Sequence, residues 1–134
     1  AGRGQLCANP AVSGRTEGGK ASPAPEAAVT ERCLDLLRHG SAAAPEPGSR
    51  KRAAPSEKGC PYLPPPSSSS LASLALHALA APSDVEALRD LASASSCCGY
   101  YAARAALPSA EVVALPYPAL LSEASRKGLG LQLE

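Results

Sequence analysis

The sequence predicts an α+β fold that is mostly helical and rich in loops. Leucines recur at helical spacing in several short segments, whereas residues 110–115 form an apolar run with the length and proline boundaries of a buried strand. Tracts dominated by Pro, Ser, Gly and Ala separate these segments and are typical of loops. Leu and Val together number 23 of the 134 residues, and Ile and Phe are absent, so the predicted core is thin.

The net charge, the hydropathy and the first residues of the chain bear on which functions are expected. A net charge of +1 does not by itself indicate nucleic-acid binding, which would need local basic clusters. No apolar run reaches about eighteen residues, so no membrane contact through a spanning helix is expected. The chain begins at Ala1 with neither an initiator Met nor the apolar core of a signal peptide, and we therefore expect a fragment of a longer protein.

The first two predicted helices lie at residues 30–38 and 71–80. In the first, Cys33, Leu34 and Leu37 share one face at helical spacing. The second, LASLALHALA, is permissive for a helix and ends before Pro82.

A third helix is predicted after Ser83. Ser83 and Glu86 have the spacing of a capping box, and Val85, Leu88 and Leu91 follow on one face. A fourth helix is expected at about 100–106, stopped by Pro108.

The C-terminal part predicts a strand followed by a helix. The strand covers AEVVAL at 110–115, with Val112, Val113 and Leu115 as core residues. The helix covers 118–128, because Pro118 suits a first helical turn and Gly128 suits a C-cap.

Low-complexity insertions are expected at about 13–28, 39–58 and 64–70. The first contains GRTEGGKA at 14–21, which matches most of a phosphate-binding loop but has Ala21 where a Ser or Thr would bind Mg²⁺. No strand precedes it, so we interpret the match as chance. The second contains Lys51 and Arg52, which we interpret mainly as a solvated loop.

The cysteines at 7, 33, 60, 97 and 98 are an odd number, which does not favour a disulfide framework. Setting Cys97 aside, their spacing is C-x25-C-x26-C-x37-C, without the close pairs usual in zinc sites. Four thiolates from distant loops can also hold an iron–sulfur cluster. From spacing alone, a cluster, a zinc site and unligated thiols remain equally open, and each cysteine could simply be a small buried apolar residue.

The residues that flank the cysteines form four distinctive segments. They are RGQLCANPAV at 3–12, ERCLDLLR at 31–38, GCPYL at 59–63 and CGYYAARAALPSAEVVALPYPALL at 98–121. Together they resemble the cluster-binding segments of the XPD-like superfamily 2 iron–sulfur DNA helicases, above all the Chl-type sister-chromatid-cohesion DEAH-box branch. The resemblance covers residues 1 to about 133 and is most specific at these segments.

The resemblance implies a [4Fe–4S] cluster held by Cys7, Cys33, Cys60 and Cys98. Cys98, and not Cys97, is in the ligand register, because Tyr100, Tyr101 and Arg104 follow it as they do in the family. Gly99 stands where the family has Pro.

The fold implied by the resemblance has two parts. Residues 1–106 would form the iron–sulfur domain, and residues 107–134 would be the return segment of the α/β RecA-like helicase domain into which the cluster domain is inserted. The return segment would supply one strand and one helix.

The function implied by the resemblance is that of a fragment of an ATP-dependent DNA helicase, of 5′–3′ type, in DNA repair, replication or chromatid cohesion in the nucleus. Its partners would be single-stranded or forked DNA and the remaining motor and arch domains. Arg3, Tyr100 and Arg104 would face DNA. Without a phosphate loop and a DEAH box, this chain alone is expected to be inactive, with ATP and Mg²⁺ bound only in the full-length protein.

Two other interpretations compete with the helicase fragment. One is a stand-alone zinc module with four cysteine ligands, and the other is a largely disordered truncated product. Colour after anaerobic purification would separate an iron–sulfur cluster from zinc or free thiols.

Overall fold

The computed structural model describes residues 1–15, 23–40, 59–65 and 68–130, and all regular elements within them are helical. The helices are α1 (Arg3–Leu6), α2 (Pro10–Ser13), α3 (Glu26–Gly40), α4 (Ser69–Ala80), α5 (Val85–Ala94), α6 (Gly99–Ala106), α7 (Tyr117–Leu121) and α8 (Glu123–Leu129), with a 3-10 turn at Leu107–Ser109. No helix of this described part is long and apolar enough to cross a membrane.

The core is formed where α4 packs along α6, and α5 closes one side. Its buried members are Leu74 of α4, Ala92 of α5, Ala102 of α6 and Cys97, which precedes α6. Apart from Leu74 they have small side chains. Because alanine side chains are short, the helix backbones can approach each other closely. The N-terminal helix α1 contacts α3, α5 and α6, which places the start of the chain beside the start of α6.

Four of the predicted helices are present, with shifted ends. Helix α3 begins four residues earlier than the predicted 30–38 helix and ends two residues later, whereas α4 and α6 lie within two residues of the predicted limits. The short helices α1 and α2 were not predicted. Asn9 and Pro10 nevertheless carry an N-terminal signal, because Asn9 caps α2 and Pro10 occupies its first turn.

The predicted capping box of α5 is wrong by one residue. Asp84, not Ser83, is the N-cap, and its carboxylate accepts a hydrogen bond from the Ala87 amide at 2.7 Å. Asp is as good an N-cap as Ser, so the sequence offered two adjacent candidates of similar quality.

The predicted strand at 110–115 is absent. The segment is irregular, Val112 is 87% exposed and Val113 is 36% exposed, so the prediction that Val112, Val113 and Leu115 form core is wrong. Leu115 alone of the three is partly buried. A strand needs a neighbour to satisfy its backbone hydrogen bonds, and the described residues include no second strand to pair with it.

The predicted helix at 118–128 is divided into α7 and α8 at Ser122. Pro118 lies in the first turn of α7, as predicted. Ser122 has extended backbone, and its hydroxyl accepts from the Ser125 amide at 3.3 Å, so it begins a new helix. The left-handed C-cap is Gly130, with φ of 70°, and not Gly128, which lies inside α8.

Much of the predicted low-complexity sequence lies outside the described residues, namely 16–22, 41–58 and 66–67. The phosphate-loop match at 14–21 and the basic pair at 51–52 fall largely or wholly in these gaps. Where the structure does describe the predicted insertions, α2, α3 and α4 extend into them.

Candidate cysteine site

Four separate elements supply the cysteines of the candidate site. Cys7 follows α1 as its C-cap, Cys33 lies within α3, Cys60 lies in the segment 59–65, and Cys98 is the N-cap of α6. All four are partly buried and none forms a disulfide. Because α1 contacts both α3 and α6, three of these elements meet at one place.

Two of the thiols, Cys7 and Cys98, feel the charges of the other two. Burial raises the pKa of the Cys7 thiol, and neighbouring Cys33 and Cys60 raise it further. Burial likewise raises the pKa of Cys98 to about 11, again with contributions from Cys60 and Cys33. Cys33 and Cys60 thus act on both Cys7 and Cys98, and Asn9 contacts both Cys7 and Cys60.

The electrostatics of Cys98 also reflect its place at the start of α6. Its sulfur makes no capping hydrogen bond, yet the backbone N–H groups of Tyr100 and Tyr101 lie near enough to lower its pKa against the larger effect of burial. A thiolate at a helix N-terminus is favoured by these amides and by the helix dipole. Burial is the larger of the two effects, so in the metal-free chain Cys98 holds its proton more firmly than an ordinary cysteine does.

Cys97 faces away from the other cysteines. It is 1% exposed and packs in the core with Leu74, Ala92 and Ala102. Burial raises its pKa, and no cysteine other than its chain neighbour Cys98 contributes. Cys97 and Cys98 thus lie in different surroundings, and the assignment of Cys98 as the ligand stays a prediction.

The donor set consists of four partly buried thiols on separate elements. Among the described residues, no three His, Cys, Asp or Glu side chains converge closely enough to hold one ion. In a [4Fe–4S] cluster each thiolate binds a different iron atom, so the sulfurs stand further apart than the ligands of one ion. Four half-buried thiols, two of which receive N–H donors, fit such a cluster.

Arg3 links the cysteine site to the tyrosines of α6. Its guanidinium donates to Cys33 Sγ at 3.2 Å and to the Tyr101 hydroxyl at 3.4 Å. Its central carbon also lies 4.3 Å from the ring centroid of Tyr100. Burial lowers the pKa of Arg3, but the hydrogen bond to Tyr101 and the attraction of Tyr100, Tyr101 and Cys33 outweigh burial, so the pKa is raised.

The three residues predicted to face DNA form one cluster. Arg104 lies over the Tyr100 ring at 4.1 Å, so this ring contacts both guanidinium groups. The Tyr100 and Tyr101 rings meet edge to face, 5.3 Å apart. We call Arg3, Tyr100, Tyr101 and Arg104 the arginine–tyrosine cluster.

An open groove of about 640 Å³ runs past this cluster. Arg3, Tyr100 and Arg104 line one side, and residues of the C-terminal segment, including Leu115 and Pro116, line the other. The lining of the groove therefore includes two cations, one aromatic ring and the carboxylate of Glu26.

Two residues that support the site were not predicted from the sequence. Asn9 is 5% exposed and donates from Nδ2 to Cys60 Sγ at 3.6 Å. Tyr101 was predicted only to lie in the ligand register, but its hydroxyl accepts from both terminal nitrogens of Arg3. The Asn-Pro pair signals a helix start, whereas no local pattern connects Asn9 to a cysteine 51 residues away.

Comparisons with known proteins agree with the resemblance. The DEAD_2 family model matches residues 1–134. The chain is 35% identical over 133 residues to the ATP-dependent DNA helicase CHL1 of Sclerotinia sclerotiorum and 36% identical over 138 residues to that of Neurospora crassa, covering 98% of this chain in each case. The Schizosaccharomyces pombe helicase chl1 is 34% identical over 110 residues, or 82% of this chain. No solved structure matches significantly.

The matched region is a small part of these relatives. The chain spans 12%, 10% and 11% of their respective lengths. The family model nevertheless covers the whole chain, and the similarity to the first two relatives runs through almost all of it. The chain therefore belongs to the DEAD_2 family and is similar to a segment of the Chl1-type DNA helicases.

Proposed function

We propose that this chain is the iron–sulfur part of an ATP-dependent DNA helicase and contributes to its single-stranded DNA path. Cys7, Cys33, Cys60 and Cys98 would hold a [4Fe–4S] cluster. The observation that carries the proposal is geometric. Cys7 and Cys60 both contact Asn9, and α1, which ends at Cys7, packs against the helix that holds Cys33 and the helix that Cys98 begins, while Cys97 lies in the core.

The cluster would supply a covalent tie among four separate elements. Buried apolar residues lie on α1, α2 and α3 as well as on α4, α5 and α6, whereas Cys7, Cys33 and Cys60 are only partly buried. Metal binding to a folded site adds directly to folding stability. Arg3 would support the ligand Cys33 by donating a hydrogen bond to its sulfur, and the same guanidinium lies over the Tyr100 ring.

The arginine–tyrosine cluster would contact DNA at the groove. Arginine binds phosphates and tyrosine stacks on bases, which together suit a single strand without demanding a particular sequence. Arg104 lines the groove and has no hydrogen-bonding or ion-pair partner among the described residues, so its N–H donors are available to a phosphate.

The larger assignment rests on the resemblance and on the names of the relatives. The iron–sulfur domain would be inserted in an α/β RecA-like motor, with ATP and Mg²⁺ bound by the rest of that motor. The whole helicase would move 5′–3′ on single-stranded or forked DNA and act in repair, replication or chromatid cohesion in the nucleus.

Iron loading of two matched cysteine variants tests the proposal. After anaerobic purification, the parent chain should carry about four iron atoms and a broad visible absorption. Cys98→Ala should lose most of both, whereas Cys97→Ala should retain them, since alanine replaces a small buried side chain without adding a buried hydroxyl. A colourless parent containing zinc, or equal iron loss in both variants, would contradict the proposed ligand set.

A further inference from the structure

Asn9 occupies an unusual position between two of the four cysteines. It is 5% exposed, although asparagine is rarely buried without a specific partner. Its backbone carbonyl accepts from the Cys7 thiol at 3.7 Å, and its side-chain Nδ2 lies 3.6 Å from Cys60 Sγ. Asn9 thus connects the end of α1 with the segment that carries Cys60.

The orientation of the Asn9 amide is determined by the helix that it caps. Oδ1 accepts from the Ala11 backbone N–H at 3.0 Å at the start of α2. Only the oxygen can accept that hydrogen, so the NH₂ group must point the other way, toward Cys60. The Asn9 carbonyl is held as well, because it accepts from the Ser13 amide and hydroxyl, each at 2.9 Å.

The geometry points to Asn9 as a positioning residue that donates a hydrogen bond to the Cys60 sulfur and thereby tunes the iron–sulfur cluster. This inference rests on the proposed function, because it requires Cys60 to be a ligand. A donor directed at a ligating sulfur withdraws electron density from it and stabilises the more reduced cluster. Partners of this kind commonly change metal affinity by about 10- to 100-fold when removed.

Asn9 complements Arg3 in this role. Arg3 donates to Cys33 with a charged group at 3.2 Å, whereas Asn9 donates to Cys60 with a neutral group that is almost fully buried. Because the Asn9 amide is neutral, it adds no charge beside Cys60. Its removal should therefore affect Cys60 without altering the charge of the groove.

Two substitutions separate the sulfur contact from the helix cap. Asn9→Ser keeps an N-cap oxygen for α2 but is too short to reach Cys60, and Asn9→Asp keeps the cap while placing an acceptor, and a negative charge, opposite the sulfur. Asp84→Ala is the matched control, because it removes a cap from α5 that bonds only the Ala87 amide.

The readouts are the reduction potential of the loaded chain and the rate at which a chelator bleaches its visible absorption. We expect both Asn9 variants to have a lower potential and to bleach about tenfold faster than the parent, with Asp more affected than Ser. Asp84→Ala should match the parent in potential. Parent-like potentials and bleaching in both Asn9 variants would overturn this inference alone, whereas a parent without iron would overturn the proposed function together with it.

Discussion

Gly99 shows how one residue determines where α6 meets α1. It is buried, and a Cβ atom at this position would lie 2.9 Å from the Leu6 carbonyl oxygen and 3.1 Å from Ala92 Cβ. The sequence register indicates only that glycine stands where the family has proline. In this chain the missing side chain allows α1 to approach the first turn of α6, directly beside Cys98.

Gly99→Ala should therefore destabilise the chain by about 1–3 kcal/mol, because the Leu6 backbone must move to admit the methyl group. Urea unfolding followed by circular dichroism would measure the change. Gly128→Ala is the matched control: no atom lies within 4 Å of the place that its methyl group would take, so helix propensity alone should make it neutral or stabilising by up to about 1 kcal/mol. Equal effects of the two changes would show that the close approach is unimportant.

Arg104 and Tyr100 should make distinguishable contributions to binding of single-stranded DNA. If Arg104 meets one phosphate, Arg104→Ala should reduce the slope of log affinity against log salt by about 0.7. Tyr100→Ala should cost about 1–3 kcal/mol of binding free energy with an unchanged salt slope, because stacking releases no counterions.

Fluorescence anisotropy with the iron-loaded chain and a labelled oligonucleotide would measure both quantities. Arg38→Ala is a suitable control, since this arginine is exposed and pairs with Asp35 on α3. If Arg104→Ala and Tyr100→Ala both keep the iron–sulfur cluster and bind DNA like the parent, the two residues contribute to packing and not to DNA binding.

At the scale of elements, helices were predicted well because their signals are local. Leucine spacing and the prolines near residues 82 and 108 located α4, α5 and α6, and even the error at α5 moved its cap by only one residue. The strand at 110–115 failed because a strand depends on a neighbour that local sequence cannot supply. Val112 and Val113 are apolar but exposed, because a run of apolar residues does not by itself determine which surface covers it.

In the candidate site, too, the local sequence gives part of the arrangement and long-range contacts determine the rest. The tyrosine and arginine register predicts Cys98 rather than Cys97 as a ligand, and this stays a prediction, although the two thiols lie in different surroundings. The contact between Asn9 and Cys60, and that between Arg3 and Tyr101, join residues 51 and 98 positions apart. Such contacts follow from how α1, α3 and α6 pack, and no spacing rule predicts them.

At the scale of the whole molecule, the metal-free chain holds several thiols in a state that resists ionisation. Burial raises the pKa of Cys7, Cys97 and Cys98, the last to about 11 from an ordinary value of 9.0. Below pH 9 the folded and unfolded chains both keep these protons. Between pH 9 and 11 the unfolded chain releases the Cys98 proton while the folded chain keeps it, so the free energy of unfolding must fall.

The reduced, metal-free chain should therefore lose about 2–3 kcal/mol of stability through Cys98 alone as the pH rises from about 9 to 11. Urea unfolding at intervals across this range would measure the loss. Cys98→Ala should show a shallower decline than the parent, and the difference removes the contributions of lysines and tyrosines. Identical declines would show that Cys98 is not buried in the folded, metal-free state.

The arrangement of the four cysteines on separate elements has a consequence for how freely the chain can vary in length. The intervals between successive ligands contain 25, 26 and 37 residues, and the middle one includes the Pro-, Ser- and Ala-rich sequence at 41–58. With four thiolates tied to one cluster, each interval is a closed loop, and doubling a loop's length costs only about 0.6 kcal/mol of closure entropy. Insertions and deletions within 41–58 should therefore accumulate almost without penalty, whereas a length change within α3, α4 or α5, or a shift of one residue at a ligand, should be costly.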